Sequence, residues 1–187
     1  NLTPDKFTAG STRSFWWRCN YGHKWKATIF SRTKQKTNCP YCSYRKISST
    51  NSLKVLFPNI AKQWHPTKNG SRGADQVTFG SGEKVWWKCD KGPDHEWESS
   101  PNQRTSGYGC PYCQGLKVSV TNSLATLYPS IADEWHPTKN GSLTADQVTF
   151  GSNKIVWWKC DKGPDHEWET PPNARTRGQG CPCCSGK

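Results

Sequence analysis

The sequence repeats itself, and this repetition constrains the fold more than any other feature. Thr50-Asn51-Ser52-Leu53 returns 71 residues later as Thr121-Asn122-Ser123-Leu124, and about three-quarters of the aligned positions in the two copies are identical. A third, more divergent copy lies near the N-terminus, where Phe15-Trp16-Trp17-Arg18-Cys19 corresponds to Val156-Trp157-Trp158-Lys159-Cys160. Repetition at a fixed period indicates an array of small units that fold around the same few residues.

The repeats divide the chain into three predicted domains, residues 1–48, 49–119 and 120–187. The first domain is shorter because it lacks the opening third of the unit, so that Leu2-Thr3 aligns with Leu143-Thr144. We therefore expect the sequence to begin inside a repeat, with further residues upstream of Asn1.

Each copy contains a set of three cysteines and one histidine in two close pairs, and the third copy has a fourth cysteine. Disulfides closed within a repeat would leave an unpaired thiol in the first two copies, which argues against a secreted disulfide scaffold. Three Cys and one His separated in this way are instead the ligand set of a structural tetrahedral zinc site. The three predicted zinc sets are Cys19, His23, Cys39 and Cys42; Cys89, His95, Cys110 and Cys113; and Cys160, His166, Cys181 and Cys184.

The second pair of every set is a Cys-Pro-x-Cys motif, in which a tight turn directs both sulfurs at one ion. Cys183 replaces the tyrosine found at this position in the other copies, and we interpret it as a spare thiol. His65 and His136 fall in predicted turns, and we expect them to be structural or solvated because each zinc already has four ligands.

Four protein ligands close the coordination sphere of zinc and leave no position for water or substrate. The sequence also contains no His-Glu-x-x-His motif, no phosphate-binding glycine loop and no nucleophile elbow. We therefore predict that the protein is not an enzyme and has no small-molecule substrate.

The pattern predicts a small α+β architecture for each unit. In the second copy, β-prone segments at 85–89 and 95–98 flank a short loop and predict a hairpin with Cys and His at its tip. Leu124, Leu127 and Ile131 follow helical spacing, but Pro129 interrupts it, so we expect two short helices here and around Pro58.

At this level of detail the sequence resembles a family of repeated treble-clef or zinc-ribbon domains whose molecular function is poorly defined. The resemblance rests on Ala132-Asp133-Glu134-Trp135-His136-Pro137, residues 139–144, the strand 156–160, and His166-Glu167-Trp168 with the final Cys-Pro-x-Cys. It covers nearly the whole chain, and it implies three zinc-binding units, the first truncated. Members of this family often form arrays or lie beside nuclease-like domains. The departures are the truncated first copy, its shorter Cys-x-x-x-His loop and Cys183.

The formal net charge of +12 is concentrated in the first copy. Residues 1–48 hold ten Lys and Arg against one acidic residue, residues 49–120 hold nine against six, and residues 121–187 hold seven of each. Such a basic segment is typical of a surface that binds a polyanion, although a solvated basic surface without a ligand is the alternative. The predicted phosphate-contacting residues are Arg18, Lys24, Lys26, Arg32, Lys34, Lys36, Arg45 and Lys46.

Two other recurrent features allow more than one interpretation. An Arg-Thr pair at Arg32, Arg104 and Arg175 either contacts a phosphate or braces its loop by donating to carbonyl groups. Most of the eleven tryptophans are expected in the core, with one Trp of each Trp-Trp pair exposed because neighbouring strand residues point to opposite faces.

Two functional classes follow from these observations. The first is a zinc-binding array that binds nucleic acid, DNA or RNA, through its first copy. The second is a structural or protein-interaction subunit of a ribonucleoprotein or other large assembly, in which the neutral third copy faces protein. No apolar run is long enough to span a membrane, so we expect no membrane partner. Reduced zinc thiolates favour an intracellular site, in the nucleus, an organelle or elsewhere.

Overall fold

A computed structural model describes residues 3–186 of the chain. Asn1, Leu2 and Lys187 lie outside the described residues. The prediction that Leu2 aligns with Leu143 and the outer bounds of the first and third predicted domains fall on these residues. Among the residues described, no helix is both long enough and apolar enough to cross a membrane.

Each repeat contains one two-stranded antiparallel hairpin. The strands are β1 (Ser14–Arg18) and β2 (Lys24–Thr28), β3 (Val85–Lys88) and β4 (Glu96–Ser99), and β5 (Val156–Lys159) and β6 (Glu167–Thr170). In the first hairpin Trp16 lies opposite Lys26 and Arg18 lies opposite Lys24, and in the third Trp158 lies opposite Trp168. Side chains alternate between the two faces, and Trp87 and Trp158 are buried while Trp86 and Trp157 are half-buried. The predicted exposure of one Trp in each pair is met by Trp16 but not by Trp86 or Trp157.

Short helices complete the units. They are α1 (Ile29–Thr33), α2 (Leu53–Leu56), α3 (Pro58–Ala61), α4 (Pro101–Thr105), α5 (Leu124–Leu127), α6 (Pro129–Ala132) and α7 (Pro172–Thr176). The helical stretch breaks at Tyr128, where φ is −136° and ψ is 63°, because the ring of Pro129 disfavours the helical conformation of the residue before it. The predicted pairs of short helices and the predicted small α+β fold class are confirmed.

The core of the third repeat forms around one leucine and two tryptophans. Leu124 and Trp158 are completely buried, and they pack with Trp168 and the half-buried Trp135. The Trp135 and Trp158 rings meet edge to face with their centroids 5.4 Å apart. The Arg175 guanidinium lies 5.2 Å from the centroids of both Trp158 and Trp168, so it contacts the two rings together.

The segment before the third hairpin also lies along the outer edge of β5. Trp135 forms an antiparallel bridge with Trp158. The Asn140 amide donates to the Trp157 carbonyl at 2.9 Å, and its side-chain oxygen accepts from the Trp157 N–H at 2.8 Å. The opening segment of this repeat therefore supplies backbone partners to the hairpin as well as apolar side chains to the core.

The first repeat contains no equivalent segment in the part of the chain described. Among the residues described, β1 pairs only with β2, and a cavity of about 510 Å³ lies against Phe7, Phe15 and Trp17. The two residues that correspond to the buried Val156 and Trp158, namely Phe15 and Trp17, are only half-buried. Trp16, on the opposite face, is 73% exposed.

The described residues belong to two compact units, which we consider separately. Within residues 3–186, one unit comprises the residues up to Val85 with Ser99–Gly107, and the other comprises Trp86–Glu98 with the residues from Tyr108 onward. The first unit combines the first cysteine set with the opening segment of the second repeat. The second unit combines the second cysteine set with the third repeat.

Replacing Leu124 by Ala should lower the free energy of unfolding by about 2–5 kcal/mol, because it removes buried methyl groups and leaves a cavity in a small core. Leu127 lies in the same helix but is 46% exposed, so Leu127→Ala should cost less than about 1 kcal/mol. Urea unfolding of the zinc-loaded proteins, followed by tryptophan fluorescence, measures both changes. Equal losses for the two variants would contradict this description of the core.

Candidate metal centres and basic surface

The four predicted ligands of the first repeat converge on one point. His23 Nδ1 lies 3.5 Å from Cys19 Sγ, 3.4 Å from Cys42 Sγ and 3.7 Å from Cys39 Sγ, and the Cys19 and Cys42 sulfurs are 3.7 Å apart. A tetrahedral zinc ion with Zn–S of about 2.3 Å and Zn–N of about 2.0–2.1 Å requires ligand separations of about 3.8 Å between sulfurs and about 3.5 Å between sulfur and nitrogen. The cluster therefore has the size of a zinc coordination sphere.

The other two predicted sets form clusters of the same size. In the second set, His95 Nδ1 lies 3.7 Å from Cys110 Sγ and 3.5 Å from Cys113 Sγ. In the third set, Cys160 Sγ lies 3.3 Å from His166 Nδ1. All four ligand atoms of every set lie within 4.8 Å of one another. The three clusters fit three structural zinc ions, each held by three thiolates and one imidazole.

The hairpin positions the first two ligands of each cluster. In the second repeat, the Cys89 N–H donates to the His95 carbonyl at 3.0 Å, which brings the two ends of a five-residue loop together. Gly92 lies in this loop, where a Cβ atom would come within 2.6 Å of the His95 ring. The glycine is therefore required so that the imidazole can turn inward beneath the loop.

The Cys-Pro-x-Cys turn positions the other two ligands. In the second repeat, the N–H of Gln114 donates to the Cys110 carbonyl at 3.1 Å, and Leu116 N–H donates to the Pro111 carbonyl at 2.8 Å. The Tyr112 ring stacks on the ligand His95 with a centroid separation of 5.1 Å. The turn therefore holds two sulfurs and also covers the imidazole.

Cys183 occupies the position of this tyrosine in the third repeat. Its side chain is exposed, and it does not belong to the cluster of Cys160, His166, Cys181 and Cys184. Its placement agrees with the interpretation of Cys183 as a spare thiol.

Close packing makes the thiols difficult to ionise together. Burial, reinforced by hydrogen bonds and by repulsion from neighbouring sulfurs, raises the pKa of Cys42 and Cys113 to about 12 and that of Cys184 to about 11. Burial opposes ionisation of Cys19 as well, but backbone N–H groups of Tyr21 and His23 donate to its sulfur and lower its pKa to about 7. A divalent cation at the centre offsets this repulsion and favours the thiolate forms.

Most of the predicted phosphate-contacting residues are exposed in the first repeat. Arg18, Lys24 and Lys26 share the outer face of the first hairpin with Trp16. The other exposed members of the predicted set are Lys34, Lys36, Arg45 and Lys46.

Arg32 differs from the rest of that set because it points inward. Its guanidinium lies 5.1 Å from the Trp17 ring centroid and 5.4 Å from that of Trp25, and it donates to the Thr37 carbonyl. Arg175 has the corresponding position in the third repeat, where it donates to the Gln179 carbonyl, and it is only 6% exposed. The geometry of the recurrent Arg-Thr pair therefore supports bracing of the loop, the second of the two interpretations.

On the outer face of the third hairpin, a carboxylate forms ion pairs with the basic side chains around it. Glu167 contacts Lys139 at 2.5 Å, Lys159 at 3.3 Å and the His136 ring at 3.0 Å. Hydrogen bonds from Lys139, His136 and Lys159 lower the pKa of Glu167 to about 2. The carboxylate therefore stays ionised at neutral pH and neutralises the lysines around Trp157.

His136 is structural, one of the two roles that the sequence predicts. It is buried, and its Nδ1 accepts from the backbone N–H groups of Thr138 and Lys139 at 3.2 and 3.1 Å. His65 accepts from Thr67 and Lys68 in the same way. Neither histidine belongs to one of the three clusters found in the described residues.

Sequence reasoning missed a set of polar residues that contact the clusters. Thr50 and Thr121 hydrogen-bond the ligand histidines, and Asn51 and Asn122 hydrogen-bond the Cys-Pro-Tyr-Cys turns. Their recurrence in the Thr-Asn-Ser-Leu motif was the available signal. Without coordinates, that motif indicates a repeat and gives no sign that it reaches the preceding zinc site.

Comparison with known families agrees with this geometry. The profile of a family described as a probable treble clef zinc finger domain matches residues 1–45, 60–116 and 131–187. These ranges contain all twelve predicted ligands, and together they cover most of the chain. A search of curated proteins finds no match to the chain.

The zinc-loaded chain should contain three zinc ions, and Cys184→Ser should weaken or empty the third site. Cys183→Ser is the matched control, since it removes the neighbouring exposed thiol and should leave three ions bound. Native mass spectrometry with elemental analysis gives the stoichiometry. Loss of zinc from the Cys183 variant with retention in the Cys184 variant would overturn the ligand assignment.

Zinc binding should weaken as the pH falls, because the raised pKa of Cys42, Cys113 and Cys184 keeps these thiols protonated until zinc displaces the protons. Below pH 7 Cys19 also takes up a proton in the absence of zinc, so the dependence should become steeper there. We expect a release of about 2–3 protons per zinc. Competition with a chelator between pH 6 and 8 measures this slope, and an affinity independent of pH would contradict it.

Proposed function

We propose that this chain, which belongs to the family of probable treble clef zinc finger domains, is a non-catalytic zinc-binding array that binds single-stranded nucleic acid through its first repeat. The proposal rests on one surface, the outer face of the first hairpin. We call this surface the Trp16 face, and define it as Trp16, Arg18, Lys24 and Lys26.

The Trp16 face combines an exposed ring with positive charge. Trp16 is 73% exposed and lies directly across the hairpin from Lys26, while Arg18 lies across from Lys24. Within the described residues, no carboxylate lies within ion-pair distance of the three basic side chains. A base can stack on such a ring while the adjacent cations contact its phosphates.

The same face is neutralised in the other two repeats, and this contrast supports a specific role for the first. In the second repeat, Lys88 pairs with Glu96 at 2.9 Å. In the third, Lys139 lies over the Trp157 ring, 4.1 Å from its centroid, and both it and Lys159 pair with Glu167. Lys24 takes the place of Glu96 and Glu167, and Lys26 takes the place of Glu98 and Glu169. The first repeat therefore differs in the charge of this face while it retains the hairpin.

Stacking favours unpaired bases, because the faces of bases within a duplex are already covered. Salt-dependent contacts to phosphate give affinity, and ring stacking gives a preference for single strands without a strict sequence. DNA and RNA both offer these groups, and comparison of the two is part of the test.

A non-catalytic role is consistent with the clusters themselves. Each provides four protein ligands, which is the arrangement of structural zinc. Thiolates held this way persist in a reducing environment, so we also propose a reducing, intracellular compartment for the folded array.

The zinc-loaded protein should bind labelled oligo(dT) or oligo(rU) of about 20 nucleotides with an affinity that decreases as salt increases. Replacing both Lys24 and Lys26 by Glu should weaken binding and lower the log–log salt slope by up to about 1.4, since each lost phosphate contact on a single strand contributes about 0.7. Trp16→Ala should weaken binding by about 5- to 150-fold, which corresponds to the loss of one stacked base at about 1–3 kcal/mol. Fluorescence anisotropy at several salt concentrations measures these changes.

The matched control for charge is Lys154→Glu with Lys162→Glu, which makes the same change at two exposed lysines of the third repeat. Trp157→Ala is the control for the ring. Equal effects of the two charge variants would indicate non-specific attraction and contradict the assignment of the Trp16 face. Failure of DNA and RNA to bind at low salt would exclude the proposal and favour the role in protein assembly.

A further inference from the structure

The outer nitrogen of each ligand histidine in the first two clusters is held by hydroxyl groups from further along the chain. His95 Nε2 lies 2.9 Å from Thr121 Oγ1 and 3.1 Å from Ser119 Oγ. In the first cluster, His23 Nε2 lies 3.3 Å from Thr50 Oγ1. Because Nδ1 faces the sulfurs, Nε2 carries the proton and donates to these hydroxyl oxygens.

The asparagine that follows each threonine holds the Cys-Pro-Tyr-Cys turn of the same cluster. Asn51 is buried, and its amide donates to the carbonyls of Tyr41 at 2.7 Å and Lys46 at 2.8 Å. Asn122 donates in the same way to Tyr112 at 2.8 Å and Lys117 at 2.9 Å. The loop of the second hairpin adds a third contact, since the Val120 N–H donates to Asp94 at 2.9 Å.

The next two residues belong to the core of the following repeat. The backbone of Ser52 forms an isolated antiparallel β-bridge with that of Thr78. The buried Leu53 donates its N–H to the Val77 carbonyl at 2.8 Å. In the second compact unit, Ser123 bridges Thr149, and Leu124 donates to Val148 at 2.8 Å. A contact to one zinc cluster and a contact to the next core are therefore only one or two residues apart.

We propose that these segments, which we call clasps and define as residues 48–53 and 119–124, are positioning elements of the preceding zinc site. Each clasp fixes the tautomer and orientation of the ligand histidine and the shape of the Cys-Pro-Tyr-Cys turn. Each also transmits metal occupancy to the repeat that follows, because the order of Leu53 or Leu124 depends on the same short segment.

The physical basis is the coupling of inner and outer ligands. A hydrogen bond from Nε2–H keeps the Nδ1 lone pair directed at the metal and raises the basicity of the ring. Loss of such an outer partner typically weakens metal binding 10- to 100-fold.

Thr121→Val should weaken the second site about 10- to 100-fold, and Thr50→Val should do the same to the first. Thr121→Ser, which retains the hydroxyl, should restore affinity. Thr138→Val is the control, because this exposed threonine makes no side-chain hydrogen bond in the described structure.

Chelator competition followed by native mass spectrometry measures stepwise zinc loss, and the absorption spectrum of the cobalt-substituted protein reports the geometry of the site. An altered cobalt spectrum with a retained circular dichroism spectrum is expected for Thr121→Val. Unchanged zinc affinity in both Thr50→Val and Thr121→Val, or equal losses in the Thr138 control, would overturn the positioning role.

Coupling to the following repeat needs a separate measurement. In Cys42→Ser, which should weaken or empty the first site, the Leu53 amide should exchange with deuterium faster than in the parent chain. The Leu124 amide serves as the control, and its exchange should not change. Unchanged exchange at Leu53 after loss of the first zinc would exclude transmission through the clasp while leaving the affinity test valid.

Discussion

The attraction between a divalent cation and three closely spaced thiolates is the interaction on which the rest of this structure depends. No helix in the described residues is longer than five residues, and each sheet there has only two strands. Elements of this size bury too little surface to be stable alone. Structural zinc contributes roughly 10–16 kcal/mol of apparent binding free energy in small domains. Without the metal, the packing that brings the sulfurs to 3.7 Å would instead favour protonated thiols.

Ligand spacing and local chemistry made much of the fold predictable. The ligand sets follow from the recurring Cys and His frame, the hairpins from short β-prone segments, and the helix break from Pro129. The inward orientation of the Arg32 side chain was not predictable from the sequence. An arginine near a basic loop can equally well contact a phosphate or hold the loop by donating to its carbonyl groups. Only the positions of Trp17, Trp25 and the Thr37 carbonyl decide between these roles, and those positions depend on tertiary packing.

The clasps show a second limit of sequence reasoning. A period of 71 residues fixes the length of a unit but not the point at which a unit begins, since any starting point gives the same repeat. Thr50 and Asn51 contact the cluster that precedes them, whereas Ser52 and Leu53 contact the segment that follows. Adjacent residues thus contact a zinc cluster on one side and the next segment of the chain on the other. The family profile matches residues 60–116 and 131–187, and both clasps lie outside these ranges.

Separation of the two hairpin faces explains how one repeat can acquire a different surface without losing its fold. The inward residues of β5, Val156 and Trp158, are fully buried, so replacements there would disturb the core. The outward positions contact only neighbouring side chains and solvent, and a lysine can replace a glutamate there at little cost to packing. Lys24 and Lys26 lie at such positions, beside the Trp16 ring. The first repeat therefore retains the zinc-centred hairpin while its outer face gains positive charge beside Trp16, the combination on which the proposed binding of a single-stranded polyanion rests.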